Sequence, residues 1–518
     1  MGVLHGVGRR KPARSGHGGP LEPRAYVARS GHALADGVVA AVSLLLALGA
    51  CTDPPAAPDG PASPPAETQG STAAPGPGPG PGPGPGPGPG PGPGPGPGPQ
   101  GPAAGPGPDD HADRIPEEPV PDPRKPDPSE EFSPQTTGRD PEGGPLTRFP
   151  SPFPTAELAI LPARPVRPWL ADALQADLDE LVAAAGTGGV SAAVISAEHG
   201  TWSGAAGTSG DGGPMTTAHR FPLGTLSEAV VAAQVMRLVE RGRVRLEDRA
   251  VTHLPDNLPF VSNGASVRDL LGMRSGLLGL RRADRALDDP RRVWTPEEVL
   301  ALIPSERLSP GELMEYSSIN YLLLGLLVEE VTGRSLATVL RRDVLGGPGS
   351  EGFLVQPVEE LTGPVALPVA SDGATMDLAV LGGAVPSLNE VTRTGAGQAL
   401  ASDAASLARW WGRLCGGDIV SAQSLTEMTT FDPERWSWEL DSFGLGLVDM
   451  SEADDTPAVG RAAEMPGYRA QAHCKVDQGV VAAAFVNRDV GLLDAGALAM
   501  SLSHIAATAP PVQPNQRR

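Results

Sequence analysis

The stretch "FPLGTLSEAV", residues 221 to 230, sets two hydroxyls and a carboxylate at the entrance of a long apolar run. A hydroxyl becomes a nucleophile when a neighbouring base takes its proton. Thr225 and Ser227 supply the hydroxyls, and Glu228 lies three residues after Thr225, one helical turn on. A carboxylate serves as general base when burial raises its affinity for the proton. Two features oppose that chemistry. The β-methyl of a threonine crowds the line of attack, and Ser227 falls on a different face of the helix from Thr225. A lysine activator has almost no source, because the whole sequence holds only Lys11, Lys125 and Lys475.

Other chemistry-bearing residues form no cluster. His219, His253 and His473 lack metal-ligand spacing, and no Cys/His grouping suggests zinc, so neither a metal nor a cofactor is expected. Cys415 and Cys474 are the two cysteines of the globular region, which leaves a disulfide or a pair of buried thiols open. Trp410, Trp411, Trp436 and Trp438 either line a groove or pack in a core.

The elements that must position these residues read as follows. Leu170, Leu174, Leu178, Leu181 and Val182 recur at helical spacing over residues 168–185. "GGVSAAVISAEHG" and "TWSGAAGTSG" predict two strands joined by a turn at His199-Gly200. Residues 225–241 read as a helix stopped by Gly242. Short helices and Gly/Pro turns fill about residues 245–415. "SFGLGLVDM", "GYRAQAHCKVD" and "GVVAAAFVNRD" predict strands, the last two joined by a turn at 477–479, and "AGALAMSLSHIAA" predicts a closing helix. The pattern implies an α+β fold, an α/β sandwich. A five-stranded-type antiparallel sheet is built from the N- and C-terminal segments, flanked by helices, with a mainly helical subdomain inserted.

Composition separates this region from the rest. Glycine (67) and proline (59) make up about a quarter of the 518 residues and concentrate between 52 and 165, where an alternating Pro-Gly tract runs from Pro75 to Pro99. Such a segment forms no packed core, and at polyproline rise it reaches at most about 350 Å. The formal net charge of −21 excludes nucleic acid as a partner, since phosphate binding needs clustered Lys and Arg. "GVVAAVSLLLALGA", residues 37–50, has the length of a signal-peptide apolar region, with Arg24 and Arg29 upstream. Its end, Leu48-Gly49-Ala50-Cys51, resembles a bacterial lipoprotein cleavage site, with Cys51 as the lipidated residue. The expected organisation is a lipoprotein-type signal peptide at 1–50, a disordered linker at 51–165, a globular domain at 166–508 and a disordered tail at 509–518.

Residues 168–508 resemble the serine β-lactamase and penicillin-binding-protein-like superfamily, in the branch of D-alanyl-D-alanine carboxypeptidases, class C β-lactamases and related esterases. The segments that carry the resemblance occur in the family's order. They are "FPLGTLSEAVVAAQVMRLVERGRVRLEDRAVTHLPD", "SVRDLLGMRSGL", "YSSINYLLLGLLVEEVTGRSL", "GAGQALASDAASLARW", "SFGLGL" and "MPGYRA". The resemblance implies a nucleophilic serine with a lysine three residues later. At those positions stand Thr225 and Glu228, and no Ser-x-x-Lys occurs in the domain. It implies a tyrosine as general base, matched by Tyr316, followed by Ser318 where Asn is common. It implies a cationic motif on a sheet-edge strand, matched by Arg461-Ala462-Ala463. The substitutions look mutually adjusted, with an acid at 228 in place of the lysine and a strong base at 461, and the expectation is that Glu228 contacts Arg461 or Tyr316 within the cleft.

Three functions follow. The first is an exported, membrane-anchored family member with impaired or absent hydrolysis, which meets peptidoglycan fragments or another cell-wall ligand at the outer face of the cytoplasmic membrane. The second is an active hydrolase of carboxypeptidase, esterase or β-lactamase type that attacks through Thr225 or Ser227, with Glu228 or Tyr316 as base and Ser227, Ser318 and Arg461 as binding groups. The third is an interaction module with a closed cleft.

Overall fold

The computed structural model describes residues 147–148 and 153–512, apart from 260–262, 280–288, 304–307, 370–376, 432–441, 452–455 and 490. The signal segment with Cys51, the Pro-Gly tract, Trp436 and Trp438 lie outside the described residues.

A six-stranded antiparallel sheet organises the domain. Its strands are β1 (Gly189–Ser196), β2 (Gly200–Gly207), β3 (Val448–Asp449), β4 (Ala458–Met465), β5 (Tyr468–Lys475) and β6 (Val480–Val486), in the order β2-β1-β6-β5-β4-β3. N-terminal and C-terminal segments meet at the β1–β6 pair, where Ser196 faces Val480 and Val190 faces Val486. The hairpin β1–β2 closes at Ser196 opposite Gly200, whose φ of +115° suits glycine.

Strands β1 and β6 are buried and mainly apolar on both faces, and their alternation sorts their side chains into two cores. Val190, Ala192, Val194, Val480, Ala482, Ala484 and Val486 pack beneath helices α1 (Pro168–Ala185) and α5 (Ala495–Thr508) through Leu170, Leu174, Leu178, Leu498 and Leu502. Ala193, Ile195, Val481, Ala483 and Phe485 face the larger core shared by α2 (Leu226–Glu240), α3 (Ile319–Thr332) and α4 (Ala404–Cys415). Trp410 and Trp411 belong to this core, fully buried and edge to face, so they line no groove. Cys415 at the end of α4 is disulfide-bonded to Cys474 on β5, which resolves the two alternatives for these cysteines.

Between β2 and α4 lies the helical insertion. It carries α3, the shorter helices Val267–Leu271, Pro296–Ala301, Leu336–Asp343 and Leu388–Thr394, and a small sheet. That sheet pairs Phe221–Pro222 and Leu354–Val355 with the strand Leu400–Ser402.

The structure departs from the sequence reading in four places. The sheet has six strands where five were expected, the added one being β4 between β5 and β3. "SFGLGLVDM" is a strand only at Val448–Asp449. Gly446, at φ +81°, folds the segment into a tight turn against the helices, where a Cβ would stand 2.4 Å from Ala232 Cβ and 2.9 Å from Tyr321 Oη. The folded domain also starts before residue 166. Thr155 N–H donates to the Cys415 carbonyl, and Leu158 is buried in the larger core, so 153–165 is part of the domain and not of the linker. At the other end, Val512 N–H donates to Glu198 Oε1, which fastens residues 509–512.

Candidate active site

Helix α2 begins against strand β4. Gly224 has φ +51°, and a Cβ there would lie 2.6 Å from Met465 Cε and 3.1 Å from Ala463 Cβ. Glycine at this point lets the start of α2 rest directly on β4. Thr225, half-buried at the N-cap position, makes no side-chain cap; its hydroxyl donates to the carbonyl oxygen of Ala462 at 2.7 Å. That proton points at a main-chain carbonyl, which holds it but does not accept it as a base would.

One turn on, Glu228 is fully buried. Its Oε1 accepts from the Tyr316 hydroxyl at 2.9 Å, and its Oε2 is in contact with Nη2 of Arg461. Arg461 reaches in from β4, where strand alternation turns Arg461, Ala463 and Met465 inward and leaves Ala462 and Glu464 exposed. Its Nε donates to the Thr225 carbonyl at 3.0 Å, and its Cζ stands 4.7 Å from the centre of the Phe443 ring. Burial pulls the Arg461 guanidinium down to about 9, which leaves it charged at neutral pH, and the carboxylate in contact with it opposes the pull. Glu228 thus touches both of the partners expected for it.

Tyr316 is held by its neighbours: Glu315 N–H donates to the carbonyl of Met273, a residue with φ +58°. As a donor to Glu228, the phenol has its proton engaged. A phenolate there would lose that bond and face a carboxylate at hydrogen-bond distance. Ser318 caps α3 through its backbone, with no side-chain cap, and its carbonyl accepts from the N–H groups of Tyr321 and Leu322.

Ser227 takes no part in this cluster. It is fully buried on another face of α2, and its Oγ accepts from Leu400 N–H at 3.2 Å, tying the small sheet to the helix. Its assignment as a binding or attacking hydroxyl is therefore corrected to a structural one, because no substrate reaches a hydroxyl packed beneath a strand.

The structure brings Thr225, Glu228, Tyr316 and Arg461 together and sets Ser227 apart. It adds Phe443 beneath the guanidinium and Gly397 beside the carboxylate, where a Cβ would come to 3.7 Å from Glu228 Oε1. The sequence signal for Phe443 was its place in "SFGLGL"; the direction of the ring was not readable from that. Chemically the cluster is a closed ion pair. Both oxygens of Glu228 are engaged, Arg461 is a cation without basic character at neutral pH, and the Thr225 hydroxyl has no base in contact with it among the described residues.

The Beta-lactamase family model matches residues 174–506. Penicillin-binding protein 4* of Bacillus subtilis (strain 168) is 28% identical over 135 residues, which cover 25% of this chain and 29% of that protein. Protein flp of Staphylococcus aureus (strain MW2) is 27% identical over 122 residues, 22% of this chain and 24% of that one. The matches span less than a third of either relative's length. Among solved structures, the D-amino acid amidase from Ochrobactrum anthropi SV3 complexed with D-phenylalanine is similar with a TM-score of 0.56 at 23% identity, over 66% of this chain and 99% of that one. The octameric penicillin-binding protein homologue from Pyrococcus abyssi gives 0.53 at 21% identity, over 64% and 75%. These structural likenesses extend to the fold. With the family model running from α1 into α5, across the helix, the loop and strand β4 that meet at Glu228, the chain belongs to the Beta-lactamase family.

Proposed function

We propose that this chain is a non-hydrolytic member of the Beta-lactamase family, exported and held by a lipid on Cys51 at the outer face of the membrane, where its domain meets a cell-wall ligand such as a peptidoglycan fragment. The observation that carries the reading is the buried contact of Glu228 with Arg461 and Tyr316. Acylation by this family's chemistry needs a hydroxyl whose proton is taken by a base as the carbonyl is attacked. Here the hydroxyl of Thr225 donates to Ala462, and the carboxylate one turn on is neutralised by a guanidinium. The ligand class rests on likeness to proteins named a penicillin-binding protein and a D-amino acid amidase.

The test is covalent labelling of the full chain with a fluorescent penicillin and with a fluorophosphonate. The expected result is no label on the folded protein. A label that disappears in Thr225→Ala would replace this reading with an active hydrolase of altered mechanism. Thermal unfolding with muropeptides tests the ligand: a saturable rise in Tm is expected, and a flat response would leave an interaction module with a closed cleft.

A further inference from the structure

The surroundings of the Arg461 head group amount to a receptor for one planar cation. Glu228 Oε2 meets Nη2, the Thr225 carbonyl meets Nε, and the Phe443 ring lies under the guanidinium carbon. Carboxylate, carbonyl and ring face are the three kinds of group that attract such a cation. The receptor is also organised in advance. Glu228 is oriented by the Tyr316 hydroxyl, and the Thr225 carbonyl is fixed at the start of α2, where it also accepts from Glu228 N–H at 3.1 Å. Both charged partners are almost wholly out of water, at 0% exposure for Glu228 and 2% for Arg461. Meanwhile Nη1 is buried with no hydrogen-bond partner among the described residues. The tether to the β4 backbone thus delivers the guanidinium to the site without satisfying all of its donors.

We propose that the former acylation site of this chain is a binding site for a small planar cation of the guanidinium and amidinium class, and that Arg461 fills it in cis. This deepens the reading of the site as non-acylating, on which it rests, by naming what the space between α2 and β4 now binds. Emptied of the Arg461 side chain, the site takes up the free cation from solution, and the charge of Glu228 is what selects it.

The experiment is thermal unfolding of the full chain carrying Arg461→Ala in guanidinium chloride up to about 20 mM, far below denaturing concentrations. The variant melts below the native protein, and guanidinium restores about 3 °C or more in a saturable curve. Sodium chloride and urea, the latter being the neutral analogue of the same shape, give no rise. Glu228→Gln combined with Arg461→Ala gives no rise either, and the native chain, its site already filled, shows no saturable response. If Arg461→Ala alone does not fold, the same titration is read as recovery of folded protein by circular dichroism, with the double variant as the folded reference. No response to guanidinium, an equal response to urea, or a response that survives Glu228→Gln overturns the proposal. Covalent labelling of the native chain would overturn the non-hydrolytic reading instead, so the two failures are distinguishable.

Discussion

At Glu228 the fold keeps a carboxylate shielded from bulk solvent, so its partner matters more than its own identity. Removing one member of a buried pair strands the other charge, whereas removing both costs little. Arg461→Met alone is therefore expected to lower unfolding free energy by about 3 to 5 kcal/mol, and Glu228→Gln added to it to recover most of that loss. Urea unfolding of the two single variants and the double variant measures the coupling; additive losses would mean that the contact contributes nothing. A second buried group gives a pH dependence. His473 on β5, bonded to Ser503 on α5 at 3.0 Å, is held down to about 3 by burial and, secondarily, by the neighbouring Lys475. The fold carries it neutral, while the unfolded chain protonates it near 6.5. Its contribution is complete above pH 6.5 and falls as pH drops toward 3, by up to about 1.4 kcal/mol per unit. His473→Gln should flatten this slope in urea unfolding between pH 7 and pH 4.5; an unchanged slope would place the acid sensitivity elsewhere.

Among elements, the pairing of α4 with the sheet carries the covalent link. Cys415 and Cys474 are 59 residues apart in sequence, and closing a loop of that length removes about 4 kcal/mol of chain entropy from the unfolded state. Reduction, or Cys415→Ala with Cys474→Ala, should lower Tm by several degrees while leaving the covalent-labelling result of the native chain unchanged. A Tm insensitive to reductant would show that burial of the two sulfurs is enough. This level of structure was largely legible in the sequence. The spacing of Leu170, Leu174 and Leu178, the apolar runs of β1 and β6 and the order of the family segments follow from local periods, which a sequence displays directly. The disulfide was not legible, because two cysteines without geometry fit bonded and free states alike. Nor was the shortness of β3, where apolar residues that read as a strand are bent by Gly446 into a turn packed on α2. At the site, the types at positions 225, 228, 316 and 461 were legible, and so was the chance of a contact among them. The burial of Ser227 beneath Leu400 depends on packing between segments 173 residues apart, and the ring of Phe443 under Arg461 on how the turn at Gly446 meets β4; no local pattern encodes either.

For the whole molecule, the proposed anchor and the domain make separable predictions. Cys51→Ser should abolish incorporation of labelled palmitate and move the protein from the membrane to the soluble fraction, with the Tm of the domain unchanged. Palmitate incorporation that survives the substitution would remove the lipoprotein assignment without touching the fold. The junction of α2 and β4 also constrains which residues positions 225 and 228 accept. Glu228→Lys by itself would set a second cation against Arg461 in a buried site, and Thr225→Ser by itself would leave the carboxylate in place. Each single step toward Ser-x-x-Lys is thus either neutral for chemistry or harmful to stability, and the lysine is tolerated only together with a change at Arg461. The buried pair works as a latch: while Arg461 is present, a folded protein requires the acid at 228, so each position is held by its partner across the junction.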